Sequence, residues 1–358
     1  MELARALSTR SSVELHLSLS RQSELFAQTD AGGVPAMHVD TYRSLPGFLA
    51  GSLRLPLLSA RLRDYIRRNR IDVVYNTMDF LWGSALAPVI RKTDARYLLA
   101  VHDAQRHPGE DGRLRRWLLE RDIGMADGAV ALTETVREQL IKTHSFPRER
   151  AWTAPLGMFL EGATGKARYL PSDRPVRLLF FGRILPYKGL DMVLEALPLI
   201  RAVNPNVELE IWGNGDIAPY REALADAEGV RLEHRWLEEC EIAGVFDRTD
   251  ICVLPYREAS QSAVVASALS VGMPVVTTPL PSLIEQIGGT RTGRISSDFS
   301  PQSLARTILD LVASPTDYHS LSQGALAFSQ EALSWDSIGD KIEDAMRQLR
   351  SMPPRHAA

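Results

Sequence analysis

Cysteine is nearly absent from this chain, which has 2 cysteines, Cys240 and Cys252, among 358 residues. Their spacing matches no metal-binding motif, and two cysteines do not make a disulfide framework. The cysteine usage therefore gives no support for a disulfide-stapled secreted domain, and it fits the reducing cytosol.

Long apolar runs are missing as well. No window of about 18 consecutive apolar residues occurs, so the sequence predicts no membrane-spanning helix. The chain begins MELARALSTR, which lacks the apolar core of a signal peptide. A strong charge of either sign is also absent, because the formal net charge is -3, and this argues against general nucleic-acid binding. We therefore expect a cytoplasmic protein without a nucleic-acid partner.

The apolar content that is present is sufficient for large cores. Hydrophobic residues make up 45% of the chain and charged residues 24%, as in ordinary soluble globular proteins. A chain of 358 residues predicts about two domains. Residues 163–175 hold glycine, proline, serine and charged side chains with few apolar ones, so we predict a linker there. It would divide a first domain, residues 1–162, from a second domain, residues 176–332.

Strand and helix patterns alternate on both sides of this linker. Such alternation predicts an α/β protein with parallel, doubly wound sheets. The longest helical pattern of the first half, residues 45–70, is rich in arginine and is broken at Pro56. The predicted strands are residues 13–19, 34–39, 71–75, 97–101 and 128–132 in the first half, and 178–181, 207–212, 229–234, 250–255 and 274–277 in the second.

The most informative stretch runs from Arg177 to Asp191 and reads RLLFFGRILPYKGLD. Its apolar run predicts a buried parallel strand, and Gly182 lets the backbone turn sharply where the strand ends. Arg183 and Lys188 then lie in the loop before the next helix, at the sheet edge where open α/β proteins bind ligands. Two fixed positive charges there suit a diphosphate. A salt-bridged loop without a ligand explains the same residues equally well.

A second stretch, from Pro255 to Val265, places small polar residues where a strand ends and a helix begins. Ser260 or Ser262 is a candidate N-cap residue. The first N–H groups of a helix have no partner inside the helix, and the helix dipole adds partial positive charge, so such a start can bind an anion. An ordinary capped helix is the alternative. Together with the two cations, this loop would lie along the same edge of one sheet.

Taken together, these motifs resemble the family 4 glycosyltransferases of the GT-B fold, and the resemblance covers nearly the whole chain. The matching segments are residues 181–183, 188–189, 213–215, 250–255 and 272–276, which read FGR, KG, GNG, DICVLP and GMPVV. The resemblance implies two Rossmann-like domains that face a cleft, with a last helix in residues 333–358 that packs back on the first domain. It also implies a nucleoside-diphosphate sugar donor held mainly by the second domain, retention of anomeric configuration, and no cofactor or obligatory metal.

The resemblance also carries roles over to individual residues. It makes Arg183 and Lys188 the clamp on the donor diphosphate and, with His102 facing the donor sugar, the catalytic set. Asp103 and His107 would lie on the acceptor side. A satisfied loop histidine is the alternative for His102. The donor-binding set implied by the resemblance is Gly182, Arg183, Lys188, Gly213, Trp236, Glu258, Gln261, Ser262 and Ala263.

The chain departs from the family at the glutamate pair that many members have. The corresponding positions are Ala259 and Ser267, and a serine cannot accept the two ribose hydrogen bonds that a carboxylate accepts. Glu258 is the nearest replacement. Ala263 stands where relatives with a similar cradle have glycine, so a positive φ there would be strained. Trp236, which would lie beside the nucleobase, is equally compatible with an ordinary core position.

The first residues resemble the middle of a family domain. Residues 2–7 match the helix that in the family follows a first strand and a glycine-rich loop, so that strand is missing. It would lie centrally in the sheet, and its absence would expose two apolar strand edges. We expect Met1 to be an internal methionine taken as the start, with a true truncation as the alternative. An early stop codon upstream, without codons for the strand and loop, would contradict the first of these.

The arginine-rich segment from Leu53 to Arg70 suggests a membrane-binding surface. A helix of this composition can lie on an anionic leaflet, and a solvated amphipathic helix is the alternative. The apolar residues that alternate with the arginines are Leu55, Leu57, Leu58, Leu62 and Ile66.

The sequence therefore predicts a retaining glycosyltransferase that moves a sugar from a nucleoside diphosphate to a hydroxyl group of a glycan or lipid-linked acceptor. The resemblance suggests exopolysaccharide or lipopolysaccharide assembly, in the cytoplasm or at the inner face of the cell membrane. One alternative is a catalytically impaired subunit that binds a nucleotide or a partner. The missing strand and Ser267 favour it, whereas Arg183, Lys188 and His102 oppose it. A nucleotide-sugar epimerase is the other alternative, although its acidic and histidine pattern is absent.

Overall fold

The computed structural model describes residues 1–23, 33–78, 80–104, 112–158, 160 and 165–355. Within these residues the strands form three parallel sheets, of two, four and six strands. This agrees with the parallel, doubly wound architecture that the alternation of strands and helices predicts.

The first half of the chain contains the two smaller sheets. The strand β1 pairs with β2, and the other sheet has the order β3-β4-β5-β6. Apolar side chains on β4 and β5 are fully covered, as expected for parallel strands with helices on both faces. The strands are β1 Leu17–Ser20, β2 Ala36–Val39, β3 Val73–Asn76, β4 Arg96–Val101, β5 Gly128–Ala131 and β6 Ala151–Thr153, and the helices are α1 Glu2–Ser8, α2 Leu45–Ser52, α3 Leu55–Arg68, α4 Gly83–Arg91, α5 Arg113–Met125 and α6 Glu134–His144.

The second half forms a six-stranded sheet of order β12-β11-β10-β7-β8-β9. The strand order reverses between β7 and β10, and ligands of open α/β sheets bind at such a point. The strands are β7 Val176–Phe181, β8 Val207–Gly213, β9 Val230–His234, β10 Ile251–Leu254, β11 Val275–Thr277 and β12 Gly293–Ile295, and the helices are α7 Leu190–Val203, α8 Arg221–Ala225, α9 Glu239–Arg248, α10 Ala263–Ser270, α11 Pro281–Gln286, α12 Pro301–Val312, α13 Pro315–Ala332 and α14 Trp335–Ser351.

Helices cover both faces of the six-stranded sheet. On one face, Leu178 and Phe180 of β7 pack in a core that α7 and α12 also supply. On the other face, Leu179 packs in a core that includes the first turn of α10. Alternate side chains of β7 therefore pack against the helices on the two faces of the sheet. The loop that carries Lys188 follows the carboxyl end of this strand.

The last helix, α14, leaves the six-stranded half and packs on the four-stranded one. Ile338, Ile342 and Leu349 of α14 lie in one buried cluster with Leu98 of β4 and Val130 of β5. This confirms the prediction that the C-terminal helix crosses back to the N-terminal half.

The N-terminal strands do not join into one sheet. Among the described residues, β1 pairs only with β2 and β3 pairs only with β4, so each is an edge strand. The arginine-rich helical pattern is broken at Leu53-Arg54, and not at Pro56 as the sequence predicts. Pro56 instead falls in the first turn of α3, where the missing N–H group has no partner to lose. The missing first strand and the reassigned start stay predictions.

The predicted linker is closely tied to the second half where the structure describes it. The Arg168 guanidinium donates hydrogen bonds to the carbonyl oxygens of Val271 at 2.8 Å, of Phe246 at 3.0 Å and of Thr249 at 2.8 Å. Burial lowers the pKa of Arg168, and nearby acidic groups partly oppose this shift. Residues 165–175 therefore hold two helix ends in place, and the exact domain boundaries stay a prediction.

The packing of α14 leads to a stability prediction. Replacing Ile342, which is 1% exposed, with alanine removes apolar contacts between the last helix and the four-stranded half. We expect a loss of about 2–5 kcal/mol in the free energy of unfolding, measured with urea. Lys341→Ala, on the exposed face of the same helix, is the control. Equal unfolding midpoints for the two variants would show that this contact does not hold the helix.

Candidate functional site

The loops that follow β7 and β8 are in direct backbone contact. A Cβ atom added at Gly213 would lie 1.9 Å from the carbonyl oxygen of Gly182, so no side chain fits there. Gly182 itself has a φ of 110°, which only glycine adopts easily. A parallel bridge between Ile184 and Gly215 extends the same contact. Both predicted donor-binding glycines therefore shape one sheet edge.

The loops that follow β7 and β10 are joined just as closely. The Arg257 N–H donates to the Tyr187 carbonyl at 2.7 Å, and its guanidinium bonds both carboxylate oxygens of Asp191, at 2.8 and 2.6 Å. Burial alone would raise the pKa of Asp191, but the hydrogen bonds and charge of Arg257 outweigh burial and lower it. This bidentate pair was missed from the sequence, because its members are far apart along the chain.

Lys188 lies above the end of β7, beside Gly182. Its Nζ donates a hydrogen bond of 3.1 Å to the Tyr256 hydroxyl and lies 4.7 Å from the centre of the Tyr256 ring. Tyr256 is 2% exposed, so its position is fixed by the core. A Cβ at Gly182 would lie 3.6 Å from this Nζ and 3.8 Å from Val264 in the first turn of α10. The ammonium group and the start of α10 thus flank the same glycine, while Arg183 lies exposed on the same loop.

The start of α10 contains a buried hydroxyl that nothing in the described structure satisfies. Ser262 is 5% exposed, and neither its Oγ nor the Oε1 of Gln261 has a hydrogen-bond partner. Ser262 occupies the N-cap position, as predicted, but its side chain does not cap the helix. Buried polar atoms without partners are rare in native proteins and mark places where a ligand or water binds. With the dipole of α10, this forms an anion cradle of residues 259–263.

Ala263 corrects one expectation about this cradle. It begins α10 on its exposed side and is not among the residues with positive φ, so alanine is not strained there. The family's glycine is therefore not needed to form this turn in the present chain. Glu258 lies exposed on the same loop, and Ser267 lies buried inside α10 at 8% exposure.

The four-stranded half contributes His102 and Asp103, directly after β4. The Nε2 of His102 lies 2.9 Å from the carbonyl oxygen of Thr77. Because a carbonyl oxygen only accepts, we assign the ring proton to Nε2, which leaves Nδ1 as an acceptor in the neutral ring. His102 thus has the partner expected of a satisfied loop histidine, while its Nδ1 has no partner among the described residues. His107 lies outside the described residues.

Trp236 is not a core residue. It is 73% exposed, on the loop after β9, which removes the alternative that it is an ordinary core tryptophan. Its predicted place beside a nucleobase stays a prediction.

Two family models match the chain in succession. "Glycosyltransferase Family 4" matches residues 1–161, and "Glycosyl transferases group 1" matches residues 175–314. The chain belongs to glycosyltransferase family 4. The family suggested by the sequence motifs is therefore confirmed.

Curated relatives agree with this family 4 assignment, and solved structures share the fold. The chain is 28% identical over 247 residues to a D-inositol 3-phosphate glycosyltransferase of Thermobispora bispora, with 63% of this chain and 56% of the relative aligned. A Streptosporangium roseum protein of the same name is 26% identical, over 92% of this chain and 79% of its own. Anabaena HepE, solved in complex with UDP, superposes with a TM-score of 0.72 at 15% identity, covering 97% of this chain and 95% of its own. The predicted GT-B fold is thereby confirmed.

The close contact between the loops after β7 and β10 in this family 4 chain predicts an effect on stability. Gly189 has a φ of 70°, and a Cβ there would lie 2.0 Å from the Pro255 carbonyl oxygen. We expect Gly189→Ala to lower the free energy of unfolding by about 1–3 kcal/mol or more, because it strains the backbone and separates the loops. The measurement is urea unfolding.

The matched control for this prediction is Gly244→Ala in α9. No described atom lies within 4 Å of a Cβ at Gly244, so the substitution should stabilise the helix by about 1 kcal/mol. A Gly189→Ala variant as stable as the parent would contradict the described loop contact.

Proposed function

We propose that this chain transfers a sugar from a nucleoside-diphosphate donor to a hydroxyl group of an acceptor, with retention of anomeric configuration. The observation that carries the proposal is the pairing of two features around Gly182. One is the Lys188 ammonium held by Tyr256, and the other is the unsatisfied Ser262 hydroxyl at the start of α10. A cation and an anion cradle at a strand-order reversal suit a diphosphate.

The chemistry follows from charge that develops during the reaction. As the bond between the sugar and the diphosphate breaks, the departing diphosphate gains negative charge. Lys188, Arg183 and the first N–H groups of α10 would stabilise that charge, and their positions are set before the reaction begins. His102 would accept a hydrogen bond from a sugar hydroxyl through Nδ1. Retention, and the absence of a cofactor or obligatory metal, are proposed from family membership.

The names of the relatives and of a solved structure suggest which donors and acceptors to test first. Two relatives are named for D-inositol 3-phosphate, and HepE was solved with UDP. We therefore propose UDP-type donors and polyhydroxylated acceptors as the first compounds to test. The six-stranded half would bind the donor, and the four-stranded half would bind the acceptor through Asp103 and His107. Exopolysaccharide or lipopolysaccharide assembly in the cytoplasm stays the proposed setting.

A catalytically impaired subunit is the second candidate. The division of the N-terminal strands into two sheets favours it, and so does Ser267, at a position where the family resemblance implies a glutamate. Binding of a nucleoside diphosphate without sugar transfer would support this candidate. An epimerase would convert the donor sugar without an acceptor. Analysis of the products therefore distinguishes a transferase, an epimerase and an impaired subunit, which forms no product.

The charge at Lys188 provides the direct test of donor binding. We expect Lys188→Ala to weaken UDP binding by about tenfold to a hundredfold, because it removes a charge-assisted hydrogen bond to the diphosphate. Binding of the free sugar should change little. Isothermal titration calorimetry measures both affinities.

Lys341→Ala, which changes an exposed lysine of α14, is the control for this titration. Equal UDP affinity in the Lys188 and Lys341 variants would remove the clamp assignment. A parent protein that binds no nucleoside diphosphate would remove the proposed function.

We also propose that the four-stranded half contacts anionic membrane. Among the described residues no helix is long and apolar enough to cross a membrane. However, Leu49, Leu53 and Leu57 are 63, 85 and 64% exposed near the junction of α2 and α3. Ile66, which is predicted from the sequence to lie on this surface, is instead buried at 3% exposure, and Leu62 packs against the same core.

The charges of α3 support the same surface. Its exposed arginines outnumber its acids, and Asp64 is paired with Arg68 at 3.2 Å. A basic surface gains about 1 kcal/mol for each lysine or arginine close to an anionic leaflet. The exposed leucines would then enter the headgroup region beside these charges.

Vesicle flotation tests this membrane contact. The double change Leu53→Ser with Leu57→Ser should reduce binding to vesicles with anionic lipid by about tenfold, since it removes the apolar side chains that would insert. Val203→Ser, at a residue 71% exposed on α7 of the other half, is the control. Absence of salt-dependent binding by the parent would contradict the proposal.

A further inference from the structure

The short helix α11 holds the anion cradle from behind. Its Ser282 Oγ donates to the carbonyl oxygen of Ala259 at 2.6 Å. Its Gln286 accepts from the Ser262 N–H at 2.8 Å and donates to the Ser262 carbonyl at 3.3 Å. Both ends of the cradle are therefore fixed by side chains of one helix, and the peptide groups of Ser262 are aligned by an amide.

The same helix reaches across to the four-stranded half. The Glu285 carboxylate accepts hydrogen bonds from the N–H groups of Glu134 and Thr135, the latter at 3.2 Å, in the first turn of α6. These N–H groups have no partner within their own helix. A carboxylate at a helix N-terminus is also favoured by the helix dipole. Glu285 thus caps a helix that belongs to the other half of the molecule.

A second contact runs alongside this one. Thr133, the N-cap residue of α6, accepts from the Val136 N–H at 3.2 Å and donates from its Oγ1 to the Ser260 carbonyl at 3.0 Å. Thr133 is 1% exposed and Ser260 is 5% exposed, so this contact is buried. The start of α6 is therefore bonded both to α11 and to the cradle itself.

We propose that α11 is a cross-cleft brace that sets the geometry of the anion cradle. Gln286 is a positioning residue that aligns Ser262, and Glu285 and Thr133 are positioning residues that fix α6 of the four-stranded half against the cradle. Movement of the two halves and the shape of the cradle are therefore coupled. The part of the inference that concerns ligand rests on the proposed function, and the part that concerns the two halves does not.

The expected effect of losing the bonds between Glu285 and α6 depends on the exposure of Glu285. Glu285 is exposed, so its hydrogen bonds to α6 compete with water and stabilise the closed arrangement only weakly. Losing them should shift the balance between the closed arrangement and more open ones by about fivefold. A shift of this size changes the distribution of distances between the halves without unfolding either half.

The test of the brace needs no ligand. Spin labels on the exposed Cys240 and on an introduced Lys142→Cys report the distance between the two halves. Cys252 is buried, so we expect only these two sites to be labelled. Double electron–electron resonance should give one narrow distribution for the parent. Glu285→Ala should broaden it toward longer distances.

Two further variants make this result specific. Glu285→Gln keeps a side-chain oxygen that can accept hydrogen bonds from the α6 N–H groups, so it should largely restore the narrow distribution. If the negative charge alone held α6, Glu285→Gln would give the same broad distribution as Glu285→Ala. Glu331→Ala removes an exposed glutamate whose partner is Arg291 in the same half, and it should resemble the parent. A Glu285→Ala distribution identical to that of the parent and of Glu331→Ala would overturn the brace.

The cradle part is tested by Gln286→Met, which keeps the side-chain volume but removes both hydrogen bonds to Ser262. We expect an unchanged distance distribution and an affinity for UDP and for inorganic pyrophosphate that is about tenfold weaker. Parent-like affinity would overturn the positioning role of Gln286. A parent that binds neither compound would overturn the cradle and the proposed function together, while the distance measurement still decides the brace.

Discussion

The contact between the loops after β7 and β10 is the constraint on which the rest of the site depends. The two strands are parallel neighbours, so their carboxyl ends meet at one edge of the sheet. Gly189 lies against the Pro255 carbonyl, and Arg257 ties the loops together by bonding Tyr187 and Asp191. Because the backbones are this close, the loop delivers Lys188 to a fixed position above the sheet.

The cations of this edge have different roles because their partners differ. Arg257 is neutralised by Asp191, so it holds the loops together and has little charge to offer a ligand. Lys188 is held by the hydroxyl and ring of Tyr256, and among the described residues it makes no ion pair. A neutral partner fixes the ammonium without cancelling its charge. A cation of the second kind keeps its charge for stabilising negative charge that appears during a reaction.

Local patterns predicted much of this fold, and tertiary contacts decided the rest. The apolar run of β7 and the helix start near Ser262 were found from the sequence, because strand burial and the preference for small polar residues at helix starts are local signals. The helix from Pro281 to Gln286 was missed, since it is too short to show a period. The contact of Glu285 with α6 and that of Lys188 with Tyr256 join distant segments, which no spacing rule reveals.

The two halves are joined by apolar packing at α14 and by polar hydrogen bonds at α11. Leu349 and Ile342 of α14 are buried in apolar surroundings, and opening that contact exposes large apolar side chains at a cost of about 2–3 kcal/mol for each. At the α11 side the halves are joined by hydrogen bonds: the exposed bonds of Glu285 to α6 and the buried bond of Thr133 to Ser260, each worth about 1 kcal/mol net. We therefore expect any opening to begin at the α11 side and to pivot about α14. The anion cradle lies at the side that opens first, so an anion bound there would meet both halves only in the closed arrangement.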